Sequence, residues 1–304
     1  MTMRLSVRTV LIPPILLAGL LSAQAQSNCP AGDAETTAIL ALGIQNKLLA
    51  HKIAADDIEI DAPTDVGRDI LMLRKTLDVA TQAFFRCRVG DDVSPVVIQQ
   101  KLAHFLHADQ SSRDKNADRS DGIYGANLGV HIEATKGFPN SLFVVLTFDV
   151  ECGNDNLLFL YTKEQGQWPQ RLHWYSDRYT KPSDAFGDFF VFMPVRGAQG
   201  TTLFAVAHGH PWCTSRWSGF DIDLLRSTTK IANQTNLGHF SAGYDRGSDD
   251  PQGIKPTADG FTFQFWTNVA VPANDPTQMS GPLTLRFRTT SNTLECVSKD
   301  CPKK

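Results

Sequence analysis

The chain is short of the features that most directly announce a function. Its 304 residues carry 29 Lys and Arg against 32 Asp and Glu, a formal charge of -3, so it lacks the basic excess that draws a protein to nucleic acid. No G-x-S-x-G elbow, Walker loop or dinucleotide fingerprint occurs, which removes the usual signs of a serine nucleophile and of a phosphate cradle. Nowhere do two cysteines stand in C-x-x-C spacing, which disfavours a shared thiolate zinc. No apolar run reaches the roughly 20 residues of a spanning helix. What remains is ordinary globular material, because a 42% apolar share excludes disorder, collagen and coiled coil for the whole chain.

At the start, Arg4 and Arg8 precede an apolar run from Val10 to Leu21 that Pro13 and Pro14 interrupt, and Ala23-Gln24-Ala25 follows. That order of charge, apolar segment and small residues is a signal peptide layout. Residues 1–25 are therefore expected to be cleaved, leaving Gln26 first, no membrane span, and a periplasmic or extracellular protein. A lipid anchor is not expected, since Asn28 rather than a small residue precedes Cys29. All six cysteines, Cys29, Cys87, Cys152, Cys213, Cys296 and Cys301, lie beyond the cleavage point, and an even count in an exported chain reads as disulfides. Cys296 with Cys301 would staple the C-terminus, and Cys29 with Cys87 would tie the start of the helical region to its second helix. Cys152 with Cys213 follows from the repeat described below, with Cys87–Cys152 and Cys213–Cys296 as rivals.

Three helical stretches follow. From Ala34 to Lys52, Leu40, Ile44 and Leu48 recur four apart. After Pro63 and an expected Asp65 cap, Ile70, Leu73, Leu77, Ala80 and Phe84 share a face from which Arg68, Lys75 and Asp78 are excluded. Ser94 then caps a helix with Pro95 at its first position and Ile98, Leu102, Phe105 and Leu106 on one stripe. Residues 26–108 thus read as a helical region and 109–122, which hold no large apolar residue, as a polar linker. In it Asp114, Asn116, Asp118 and Ser120 alternate like the opening of a calcium loop, but Arg119 stands where such a loop needs glycine, and Gly125 where it needs glutamate.

From residue 123 to 304 the pattern changes to strands, and it repeats. SLFVVLTFDVEC at 141–152 and TLFAVAHGHPWC at 202–213 agree at Leu, Phe, Val and Cys, and an apolar strand precedes each. Units of about 60 residues with four antiparallel strands fit this spacing. A weaker third copy covers FTFQFWTN from Phe261 and LTLRFR from Leu283. The expected fold is α+β, a helical region followed by meander sheets or a sandwich, with an incomplete propeller as the alternative.

Any chemistry is expected near HGHPWCTSRWSGFDID at 208–223. His208 and His210 are two apart, so on a strand both rings face one way and can reach one metal, and Asp221 and Asp223 repeat that geometry. Aligning the repeats sets Asp149 opposite His210, which completes a nitrogen and oxygen ligand set for one divalent ion. The competing reading is that Gly209 and Pro211 end the strand and leave the histidines as surface groups, with no cofactor at all. Ser215 and Ser218 lie near His208, but a triad is defined by spatial geometry. Trp212 and Trp217, with Trp168, Trp174 and Trp266, could grip a carbohydrate or protein ligand, although burial is the commoner fate of Trp. Two functions follow, a non-catalytic exported binding or structural module and, as the alternative, a metal-dependent hydrolase using His208 and His210.

Overall fold

In the computed structural model, the described residues are 31–53, 61–89, 94–111, 123–134, 138–197, 200–211, 217–227, 235–245, 253–270, 279–289, 293–299 and 301. The signal segment, Cys29, the calcium-like positions Asp114 to Ser120, Trp212, Cys213 and Ser215 lie outside them, as do the side chains of Trp217, Ser218 and Trp266.

Helix α1 (Ala31–Leu49) leads. Its buried row is Ala34, Ala38, Ala41, Ile44 and Leu48, and Leu40 is 53% exposed. The expected Leu40 stripe is corrected because three alanines, small enough for close approach, take the face against the next helix. That helix, α2 (Thr64–Cys87), starts two residues earlier than a cap at Asp65 implies, with Pro63 at the cap position. Asp65 sits in its first turn, where a negative charge suits the helix dipole, and makes no cap. Its predicted apolar face is buried throughout, but Arg74 and Asp78 are buried too, a departure with structural consequences. Helix α3 (Pro95–Phe105) begins as the sequence implies, with Ser94 Oγ accepting from the Val97 amide at 3.4 Å. No described helix is long and apolar enough to cross a membrane.

Among the described residues twelve strands follow in three antiparallel meanders of four. The first sheet is β1 (Gly129–Ala134), β2 (Ser141–Val150), β3 (Gly153–Thr162) and β4 (Gln170–Trp174). The second is β5 (Gly187–Arg196), β6 (Thr202–Gly209), β7 (Trp217–Arg226) and β8 (Thr235–Asp245). The third is β9 (Gly253–Pro256), β10 (Gly260–Ala270), β11 (Met279–Arg288) and β12 (Glu295–Cys296). The two matched sequence blocks fall on β2 and β6, the second strand of successive meanders. No sheet closes on itself among the described residues.

The layers stack face to face. Ile70, Leu73, Leu77 and Phe84 of α2 pack on Leu142, Val144, Leu146 and Phe148, one face of the first sheet. Its other face, with Phe143, Val145, Leu158 and Leu172, meets Phe204, Val206 and Leu225 of the second sheet. The far side of the second sheet, including Leu203, Ala205, Phe220 and Ile222, packs on Phe261, Phe263, Phe265 and Phe287 of the third. Sheets covered on both faces cannot show polar alternation, which is why SLFVVL and LFAVA are unbroken apolar runs. The outermost sheet does alternate, with Phe261 and Phe263 buried and Thr262 and Gln264 half-buried.

One ion pair binds the layers. Arg74 Nε donates to Asp155 Oδ2 at 2.6 Å, with both side chains fully buried. The same guanidinium caps the carbonyls of Ser176 (2.7 Å), Arg178 (2.6 Å) and Asp184 (3.2 Å) in the crossover to the second sheet. Asp155 Oδ1 accepts from the Phe186 amide at 3.3 Å.

Cys296 and Cys301 form a disulfide, and Cys87 and Cys152 are each disulfide-bonded too, though not to each other.

Replacing one partner of a buried pair strands the other charge, at a cost of about 3–5 kcal/mol. Asp155→Asn is expected to lower the unfolding free energy from urea titration by that amount, as a lower midpoint with an unchanged m-value. A loss below about 1 kcal/mol, the value of an exposed pair, would show that the clamp does not hold the layers.

Candidate metal centre

Strand periodicity builds the site. On β6 alternate side chains face the first sheet, so Phe204 and Val206 enter the intersheet core and His208 takes the next place in the row. Across the ladder His208 lies opposite Asp221 and Val206 opposite Asp223 on β7, and Asp223 lies opposite His239 on β8. β6 ends at Gly209, yet the His210 amide donates to the Gly219 carbonyl at 2.9 Å. The chain therefore stays extended, and His210 keeps the His208 face. A Cβ at position 219 would stand 2.8 Å from His210 Nδ1, so the ring lies over β7 only because residue 219 is glycine.

His210 Nε2 is 2.8 Å from Asp221 Oδ2. His208 Nε2 is 3.9 Å from Asp221 Oδ2 and 3.9 Å from Asp223 Oδ2. One ligand atom from each of His208, His210 and Asp221 lies within 4.8 Å of the others. His239 completes the ring of groups, with Nδ1 3.0 Å from Asp223 Oδ1 and Nε2 3.6 Å from Asp221 Oδ1. The Trp174 indole donates to Asp223 Oδ2 at 2.9 Å and the Asn236 amide to Oδ1 at 3.2 Å. Apolar walls close the inner side, where Phe186 and Trp174 lie 4.5 and 4.8 Å from the His208 ring. The site opens outward at His239, which is half exposed.

Burial pushes the His208 imidazole down to about 4, against the attraction of Asp221 and Asp223. Burial would raise the Asp221 carboxyl, but hydrogen bonds from His210 and Ser241 outweigh it and hold the group at about 2. The hydrogen bond to Asp223 raises His239 against the opposing effect of burial. Two carboxylates thus stay ionised around a neutral, 1% exposed imidazole that has no hydrogen bond at either nitrogen among the described residues.

Of the residues singled out in the sequence, His208, His210 and Asp221 come together, and Asp223 stands beside them. Asp149 is not in the group of three, and it accepts from the Asn127 side chain. Sequence reasoning missed His239, Asn236 and Ser241, and took Trp174 for a ligand-gripping or core aromatic without placing it at this site. His239 and Ser241 sit two apart on β8, the same alternation that exposed the other pairs, but their register against β7 is not written locally.

An unfolded His208 titrates near 6.5, so between about pH 4 and 6.5 the unfolded state binds the extra proton and stability falls as pH falls. His239 acts oppositely, contributing stability below its unfolded value and losing it as pH rises through its raised folded value. Chelator-treated protein is expected to lose up to about 3 kcal/mol from the His208 effect between pH 6.5 and 4. His208→Leu is expected to flatten that slope in urea titrations, and equal slopes would refute a neutral buried imidazole.

Compared with family models and with curated proteins, the chain matches none, so the reading of this site rests on its own geometry.

Proposed function

We propose that this protein is an exported, disulfide-stapled binding module that holds one divalent transition-metal ion between its first two sheets. His208, His210 and Asp221 would be the ligands, with His239 at the open side. The carrying observation is His208, a buried imidazole with no hydrogen-bond partner among the described residues, aimed at two ionised carboxylates. Leaving such a group unsatisfied costs free energy, and a cation shared with Asp221 removes that cost. Imidazole and carboxylate donors together suit zinc, copper or nickel. Asp223 bonded to the far nitrogen of His239 is the arrangement by which a carboxylate orients a metal-binding ring.

The alternative, a metal-dependent hydrolase using His208 and His210, needs a group free to take a proton from water. Asp223 faces Trp174, Asn236 and His239 with its two oxygens, and Asp221 Oδ2 faces His210. That commitment favours holding an ion over hydrolysis.

The three meanders are read as repeats of about 60 residues, a view supported by matched blocks at equivalent strand positions. An incomplete propeller is the less favoured arrangement, because a closed one needs at least four blades and the described residues form three four-stranded sheets. The Cys152–Cys213 pairing draws support from Gly153, whose Cβ would stand 2.8 Å from that of Pro211. The turn carrying Cys152 therefore abuts the segment leading to Cys213. Peptide mapping of the non-reduced protein is expected to recover these two cysteines in one bridge, and their recovery in separate bridges would end the pairing. Intact mass of the exported protein tests cleavage before Gln26.

For the metal, protein stripped with chelator and dialysed against zinc, copper or nickel is expected to retain one ion per chain by elemental analysis. The double variant His208→Ala/His210→Ala is expected to retain none, and Asp149→Ala to bind as the parent does. Failure of the parent to retain any of the three ions overturns the proposal. Turnover of nitrophenyl esters or phosphates by the loaded parent, lost in the double variant, would instead establish the hydrolase.

A further inference from the structure

The outer surface of the helix layer differs from the rest of the molecule. Six large apolar side chains are exposed among the described residues, and every one is on a helix: Ile39 and Leu40 of α1, Met72 and Val79 of α2, Val96 and Val97 of α3. Exposed apolar residues scattered singly over a protein need no explanation, but six confined to one layer do. Cations share the surface. On α2 the exposed row runs Arg68, Met72, Lys75, Val79 and Arg86, cation and apolar side chain in alternation, at the steps of three, four and seven residues that keep one helix face. On α3, Lys101 is exposed with Val96 and Val97. The one acid among the described exposed side chains of the three helices is Asp65, in the first turn of α2. The acids that could offset the cations are engaged: Glu35 pairs with Arg88, Asp69 with Lys47 at 2.6 Å, and Asp78 accepts from Gln82 and Gln170. The first two pairs also tie α1 antiparallel to α2, which brings Leu40 to about the level of Val79.

We propose that this helix layer docks the protein on the surface of an anionic phospholipid bilayer without spanning it. The whole chain carries a formal charge of -3, so the cationic excess is local to the face that also exposes the apolar side chains. A partner must therefore be anionic and apolar at once. The boundary between headgroups and acyl chains is both: an apolar side chain enters it, while the long stem of a Lys or Arg leaves its charge among the phosphates. A second copy of this chain suits the face less, because a two-fold contact sets the same patch, and so the same cations, against itself. α2 packs on one face of the first sheet and the candidate metal centre lies beyond the other, so docking through the helices leaves that centre open.

The test is flotation of the full exported chain with unilamellar vesicles of mixed phosphatidylethanolamine and phosphatidylglycerol, against vesicles of phosphatidylcholine alone. The protein is expected to float with the anionic vesicles, to prefer them clearly over phosphatidylcholine, and to be released progressively as salt shortens the Debye length from about 10 Å at 0.1 M to about 3 Å at 1 M. Arg68→Gln/Lys75→Gln is expected to lower partitioning about fivefold for each cation removed. Met72→Gln/Val79→Gln is expected to lower it as well, and both variants to keep the parent's circular dichroism spectrum, since all four side chains are exposed. His208→Ala/His210→Ala is expected to float as the parent does, so failure of the metal reading leaves this one standing. No flotation with the anionic vesicles, equal partitioning onto phosphatidylcholine, or binding indifferent to both helix variants would each overturn the proposal. Dimerisation that Met72→Gln/Val79→Gln abolishes, without vesicle binding, would assign the face to a second copy instead.

Discussion

The buried pair between Arg74 and Asp155 is the interaction on which the rest of the arrangement depends. Arg74 reaches out of the helix layer to a carboxylate on the third strand of the first sheet, and its remaining donors collect the carbonyls of the chain on its way to the second sheet. Asp155 in turn receives the Phe186 amide, and the neighbouring Asn156 side chain donates to the Phe186 carbonyl. Phe186 is thereby set against Trp174, 3.7 Å between ring centroids, and against His208. A single buried charge on α2 thus fixes the aromatic wall of a site two layers away. Such pairs are expensive to desolvate, and here Nε and Oδ2 hold each other while both terminal nitrogens of Arg74 and Asp155 Oδ1 hold backbone groups.

The second constraint is that the middle sheets have no solvent face. A polar residue in their rows must find partners within the stack or at its rim. Asp223 does so through Trp174, Asn236 and His239, and His208 does not. β4 serves both sides of its sheet: Gln170 and His173 turn toward Asp78 on the helix side, and Trp174 turns toward Asp223 on the other. One short strand therefore packs against the helix side of the sheet and contributes a wall to the candidate metal centre.

Much of this was legible in the sequence because it is local. Helical periodicity gave α2 its buried face from Ile70 to Phe84, and Ser94 and Pro95 marked the start of α3 through capping chemistry that spans three residues. The mostly β character and the likeness of the blocks on β2 and β6 were equally readable, as was the geometry that turns residues two apart on a strand to one face. That rule alone brought His208 to the side of His210 and Asp221 to the side of Asp223. The same local view misplaced Leu40 and Asp78, because which side of a helix is buried depends on what lies against it.

What only the tertiary structure decided is everything that depends on how separate strands are registered and how sheets are stacked. Alignment of the repeats could suggest Asp149 as a partner for His210, but the ladder between β6, β7 and β8 delivered Asp221 and His239. No short-range pattern encodes that Trp174, more than thirty residues earlier, closes on Asp223, or that Arg74 pairs with Asp155 across two elements. Alternation along a strand follows from backbone geometry and is carried by each residue and its neighbours. Register and stacking follow from the sum of many weak apolar contacts over the whole fold, a quantity that no single stretch of sequence contains.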